Sequence, residues 1–341
     1  MISDQNKKTG EGKAKSKALL FAAGALFVLV SAVLSICVGV SGMSLSKLWY
    51  AVISGPGSSA AQRIFWYVRL PRTEACLLAG AGLAVSGTII QKVLSNSLAS
   101  PGIIGVNAGA GFAVALCCGL GVFTAWAVAG AAFAGAIAST FLVVSVARKS
   151  HASKTTVVLG GVAVTAFLNA MTETVITFVP DAALSSRDFR VGGFSAVNQA
   201  RLVPAAVLII LGVALACTLT NELDVLSLGD DTAKSLGMNV SLVRNGMLTL
   251  AALLAGACVS FAGILGFVGL IVPHIARRIA GSESGRLLPF AAFLGAGFVC
   301  ICDLLARMIF APYELPTGIL MSFLGGPFFI WLLRNRKGGA N

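Results

Sequence analysis

A chain of 341 residues that is 57% apolar, only 11% charged and +0.91 in mean hydropathy is no ordinary soluble domain. Its formal charge of +12 would suit nucleic acid, but the basic residues cluster in short inter-span segments and tails, which excludes that partner. The composition describes an all-α polytopic membrane protein.

Ten apolar segments mark candidate spans at roughly 18–40, 70–93, 103–122, 124–147, 156–179, 202–220, 246–264, 266–280, 287–309 and 316–333. Basic clusters at Lys7 to Lys17, at Arg148, Lys149 and Lys154, at Arg277, Arg278 and Arg286, and at Arg334 to Lys337 fall on one side if both termini are cytoplasmic. The reading is therefore a basic tail over 1–17, one membrane domain over 18–334 and a C-terminal tail over 335–341. The first segment is too long for a signal peptide and shows no small-residue cleavage site, so it reads as a retained helix.

Ser41 to Trp66 reads as an external segment, with a Gly-Pro-Gly turn at Gly55 and interfacial rings at Trp49, Tyr50, Trp66 and Tyr67. Arg69 and Arg72 then flank Pro71 at the start of the second span. They either snorkel to lipid phosphates or present bidentate sites to the carboxylates of an outside partner. Gly80, Gly82, Ala84, Ser86 and Gly87 crowd the middle of that span, so other helices are expected to pack closely round it. Gln91 to Pro101 is polar, irregular backbone at the inner end, which suits either a gate lining a cavity or an ordinary turn.

Glu173, in the fifth span, is the clearest unpaired intramembrane charge and a pathway candidate, because such charges usually face a bundle interior. His151 lies in a cytoplasmic turn. Asn221 to Arg244 is the longest polar interruption of the second half, where Leu223, Leu226, Ala233 and Leu236 suit short amphipathic helices, and Gly229 and Gly237 punctuate them. Either a partner's groove or the protein's own body could receive that apolar stripe. Gly256, Ala257 and Gly263 repeat the spacing of Gly80, Ala81 and Gly87, a sign of inverted repeats over spans two to five and seven to ten. Asp303 and Arg307 can pair at i, i+4 on the ninth span. His274 has no metal-site partners in sequence, and the eight cysteines, Cys300 and Cys302 included, read as packing residues inside spans. No GxxxxGK[ST] phosphate loop is present, so ATP, if used, acts on another chain.

Three blocks together resemble the FecCD family of ABC importer permeases: RLPR with GAGLAVSGTIIQ and NSLASPGIIGVNAGAG, then LSLGDDTAKSLGM, then GILGFVGLIVPHIARR with DLLAR, ELPTGIL and GGPFFIWLL. The resemblance runs from about residue 64 to 334. It implies an inverted-repeat importer permease of about ten helices in the bacterial or archaeal inner membrane, which pairs with a second permease, two ATP-binding cassette subunits and an extracytoplasmic substrate-binding protein. By position it implies that Arg69, Arg72 and Arg307 dock the binding protein. It places Asn96, Ser97, Leu98, Lys154 and Thr155 at the cytoplasmic gate, and Leu228, Gly229, Ala233, Leu236 and Gly237 in a coupling segment, 221–245, on the ATPase. The family's Asn-Pro-Leu-Ala-Asp-Pro stands here as Asn96-Ser97-Leu98-Ala99-Ser100-Pro101. The chain itself would bind no cofactor, ATP and magnesium belonging to the ATPase. An iron-siderophore is the expected cargo, with haem or cobalamin as alternatives. An ion-coupled carrier using Glu173 and Asp303 is the competing mechanism.

Overall fold

Leu70–Val93 forms one helix, with Pro71 in the first turn where a missing N–H leaves few bonds unmade. The computed structural model describes residues 2–39, 44–149 and 154–336, which are helical with no strand among them. In chain order the helices are α1 (Ile2–Cys37), α2 (Leu45–Ile53), α3 (Ala60–Ile64), α4 (Leu70–Val93), α5 (Val106–Gly119), α6 (Ala125–Lys149), α7 (Lys154–Phe178) and α8 (Pro180–Ser185). They continue as α9 (Arg187–Val191), α10 (Gln199–Thr218), α11 (Thr220–Ser227), α12 (Asp230–Ser235), α13 (Val240–Ala262), α14 (Val268–Ala280), α15 (Ser284–Met308) and α16 (Thr317–Arg336). A π-helical turn, Phe65–Arg69, joins α3 to α4, and a 3-10 turn, Pro101–Ile104, precedes α5.

The ten expected spans correspond to α1, α4 to α7, α10 and α13 to α16. Among the described residues seven apolar helices, the joined Ala60–Val93 among them, are long enough to cross a membrane; Val106–Gly119 and Thr317–Leu332 are shorter apolar helices, and α14 has 13 residues. Three boundaries differ, the last two for a visible physical reason. α1 runs back through the expected tail to Ile2. α13 starts six residues early because Asn239 caps it, its side-chain oxygen accepting from the Leu242 N–H, so polar Arg244 and Asn245 lie inside the helix. α5 starts late because the 3-10 turn and Gly105, at φ 84°, come first. The seventh and eighth spans stay separate, divided by Gly263 and by Phe267, whose φ of 65° is left-handed. The expected external segment contains α2 and α3, where the Trp66 indole donates to Ala51 O at 3.0 Å.

α4 is the central helix. Its apolar window is 78% buried, against 17% for α1 and 22% for α10. A Cβ on Gly80 would lie 2.1 Å from Gly295 O, and one on Gly87 would lie 2.0 Å from Gly269 O. α4 therefore meets α15 and α14 backbone to backbone, which only glycine allows. α13, 72% buried, is its counterpart.

The packing has the reciprocity of two interlocked repeats. α4 lies along α15 and α14, while α13 lies along α6 and α5. Gly80 faces α15, and its partner in the sequence match, Gly256, faces Ala136 and Phe133 of α6. The second half of that match differs in role: Gly87 seats α14, whereas Gly263 ends α13.

Candidate functional site

The two ends of the α4–α15 pair each gather a polar network, and little charge lies between them. At the first end stand Arg69 and Arg72, the C-termini of α1 and α15, and the start of α16. Asp303 of α15 is fully buried, and the Arg72 guanidinium grips it with Nε at 2.9 Å and Nη2 at 3.0 Å. Arg307 approaches the same carboxylate at 3.2 Å, the expected i, i+4 pair, and donates to the Ser35 hydroxyl and carbonyl on α1. The Thr317 hydroxyl donates to Asp303 at 2.8 Å, and Glu314, 40% exposed, takes the remaining Arg72 nitrogen at 2.7 Å. Arg69 donates to the carbonyls of Ile36 and Cys37.

Arg69, Arg72 and Arg307 are brought together as the sequence implied, but none stands free: each is buried within this network. The physical reason is long-range pairing. Asp303 lies 231 residues from Arg72, a separation that no local pattern reveals.

At the second end, Lys92 of α4 is buried and paired with Asp224 of α11. The Asp224 carboxylate also accepts from the Ser284 N–H, at 3.2 and 3.1 Å to its two oxygens, and from the Ser284 hydroxyl at 2.8 Å. Burial alone would raise the Asp224 pKa, but the bonds from Lys92 and Ser284 outweigh it and hold the carboxyl below its usual range. Gln91 donates to Gly269 O and accepts from Arg277, tying α14 to the same corner. Arg244 pairs with Asp230, fixing α12 to α13.

α11 and α12 form the expected helix pair over 221–245. Leu223 and Leu226 are fully buried against the body, whereas Leu228 and Leu236 are 63% and 64% exposed beside Gly229, at φ 110°, and Gly237, at φ 82°. Ala233, in the stripe that either a partner or the body could receive, is fully buried and seats α12. The stripe thus splits, one part meeting the body and one pointing away.

After α4 the chain turns at Ser95, φ 48°, and Asn96 Oδ1 accepts from the Leu98 N–H at 3.0 Å. Asn96, Ser97 and Leu98 are half-buried, and Pro101 packs against Gly269. Lys154 opens α7, with its side chain outside the described residues; Thr155 is exposed. His151 lies outside the described residues. Glu173 faces away from this chain's own bundle, exposed and paired with Arg190 of α9 at 3.1 Å, so the expectation of an interior charge is corrected. His274 meets the Phe328 ring edge-on at 5.7 Å. Cys300 and Cys302 are buried, and the Cys300 thiol donates to Ser31 O at 3.5 Å.

The FecCD transport family model matches residues 27–335. The chain belongs to the FecCD transport family. It is an importer permease, a transport component and not an enzyme. Among FecCD relatives, it is 36% identical to the iron(3+)-hydroxamate import permease FhuB of Bacillus subtilis strain 168, covering 94% of this chain and 84% of that one. It is 34% identical to the hemin transport permease HmuU of Yersinia pestis, covering 92% and 94%, and 35% identical to the vitamin B12 permease BtuC of Salmonella arizonae, covering 90% and 92%. A solved metal-chelate type ABC transporter in an inward-facing conformation superposes with a TM-score of 0.82 at 26% identity, over 93% of this chain and 99% of that one.

Proposed function

We propose that this permease carries a ferric siderophore inward, fed by an extracytoplasmic binding protein at the Arg72 end and driven by an ATPase at the Lys92 end. The observation that supports the polarity is the pair of exposed leucines, Leu228 and Leu236, on glycine-flanked corners at the Lys92 end of the α4–α15 pair. Apolar knuckles of this size suit a partner's groove, and the positive-inside rule puts both termini on that same side. Ferric cargo follows the hydroxamate and citrate importers among the relatives. Two copies of the permease, or this chain and a related one, would enclose the path, with Glu173 and Arg190 on the covered face. Asn96, Ser97 and Leu98 with Lys154 and Thr155 would form its inner gate.

Docking at Arg69, Arg72 and Arg307 is then an exchange. An incoming carboxylate competes with Glu314, the exposed acid already on Arg72. Uptake of ⁵⁵Fe-loaded siderophore in iron-limited cells with and without this gene, with labelled haem and cobalamin alongside and an ATPase-dead strain, tests the whole reading. Loss of iron uptake with either lesion is expected. Loss of cobalamin or haem uptake alone would replace the cargo, and uptake that survives ATPase loss but collapses with an uncoupler would overturn the mechanism.

A further inference from the structure

The α15 helix begins without a cap of its own. Glu283 occupies the N-cap position, yet its side chain makes no capping bond. The carboxylate that accepts from the first N–H of the helix, Ser284, comes from Asp224, 60 residues earlier and on a different helix. The same carboxylate holds Lys92, a buried ammonium in the last turn of α4. One side chain of α11 thus closes on the end of α4 and the start of α15 together.

The surroundings make this a joint rather than a surface contact. Leu223 and Leu226, on the same short helix, are fully buried, so α11 is pressed against the body at that point. Beyond it, α4 and α15 run in backbone contact at Gly80 and Gly295, and Arg72 clamps Asp303 at the far end. Leu228 lies one turn past Asp224 and points away. A push on Leu228 therefore reaches Asp224 within one helical turn and reaches α4 and α15 through ionic hydrogen bonds.

We infer that Asp224 is the positioning residue that makes the exposed Leu228–Leu236 corner and the α4–α15 pair move as one body. This rests on the proposed ATPase contact at that corner. Without the carboxylate, the corner would still bind its partner but would swing on α11, so ATP would be hydrolysed without the pair being driven.

Two measurements test this. In proteoliposomes holding the full transporter and its binding protein, Asp224→Asn is expected to leave ATPase binding intact. It should cut transport about tenfold at a nearly unchanged hydrolysis rate, with Asp224→Glu restoring part of the ratio. Lys92→Met should uncouple to a similar degree, and the double variant should be no worse than either, as expected for one joint. An unchanged ratio of ATP to cargo in Asp224→Asn would overturn the inference. Hydrogen exchange on the permease alone supplies the second readout. Asp224→Asn should speed exchange in Thr220–Ser227 and the first turn of α15 about tenfold, leaving α13 unchanged. Ser284→Ala, which removes only the hydroxyl donor, should give a smaller effect of the same pattern. Unaltered exchange would overturn the joint. Faster exchange in Asp224→Asn, found together with a wild-type system that shows no ATP-driven uptake, would leave the joint standing and remove the ATPase reading instead.

Discussion

Replacing Asp303 by asparagine removes one negative charge and no volume from the most enclosed polar site described. Arg72 would keep only Glu314 at 2.7 Å as an ionic partner, and Arg307 only Ser35. Unit charges about 4 Å apart are worth roughly 4 kcal/mol at an effective dielectric near 20, and Asp303 faces two guanidiniums. Part of that gain offsets the cost of burying the carboxylate. Removing one partner of a buried ionic group commonly costs about 3–5 kcal/mol, because the remaining charge stays buried. A drop in unfolding temperature of about 4–7 °C is the corresponding scale for a chain of this length. Glu314→Gln is the internal comparison, since its carboxylate is 40% exposed and its pairing should be worth less than about 1 kcal/mol. The assay is thermal unfolding of the purified permease in detergent, read by tryptophan fluorescence and by the monodisperse fraction after heating. Equal midpoints for Asp303→Asn and Glu314→Gln would refute the assignment of Asp303 as the keystone of this end.

Other consequences are as direct. Gly80→Val should abolish assembly, because its first side-chain carbon would already overlap Gly295 O, and chromatography would show aggregate in place of a monodisperse peak. Leu236→Asp, at an exposed corner, should leave the melting temperature unchanged and abolish co-purification of the ATPase. Glu314→Gln should tighten binding-protein docking severalfold at low salt in a surface-plasmon measurement; weaker docking would count against the exchange. The Asp224 carboxyl, held below its usual pKa, stabilises fully above the unfolded value near 3.9 and loses this as pH falls through its lower folded value. Exchange of α11 amides, corrected for intrinsic rates, should therefore stay constant from about pH 5 to 8 and rise only below about pH 4.

What could be read from the sequence was set by the range of each interaction. Small residues in the second span announced a central helix, since Gly80 and Gly87 matter wherever their partners lie. Asp303 and Arg307 were legible because four residues separate them. Arg72 with Asp303, and Asp224 with Lys92 and Ser284, were not, since only the fold brings residues so distant in sequence together. The coupling segment shows the same limit in miniature. Its stripe identified an amphipathic pair, but whether Ala233 or Leu236 met solvent depended on the body behind it. The Glu173–Arg190 pair was hidden for a related reason, Arg190 sitting on a separate short helix.

The π-turn at Phe65–Arg69 has a consequence for the length of the chain. The Leu70 N–H reaches back to Phe65 O, one residue farther than in an α-helix, just before Pro71, which has no N–H to give to Tyr67. One surplus residue turns everything upstream by about 100° relative to α4. Deleting Val68 would let the segment relax to an ordinary helix and leave Arg72 on Asp303, but it would swing the residues before it away from α1. The seating of Phe65 and Trp66 beside Ile36 and Cys37 is thus encoded in a count of residues, so natural variants that lack one residue here would differ in the face they show at this end while keeping the same membrane core.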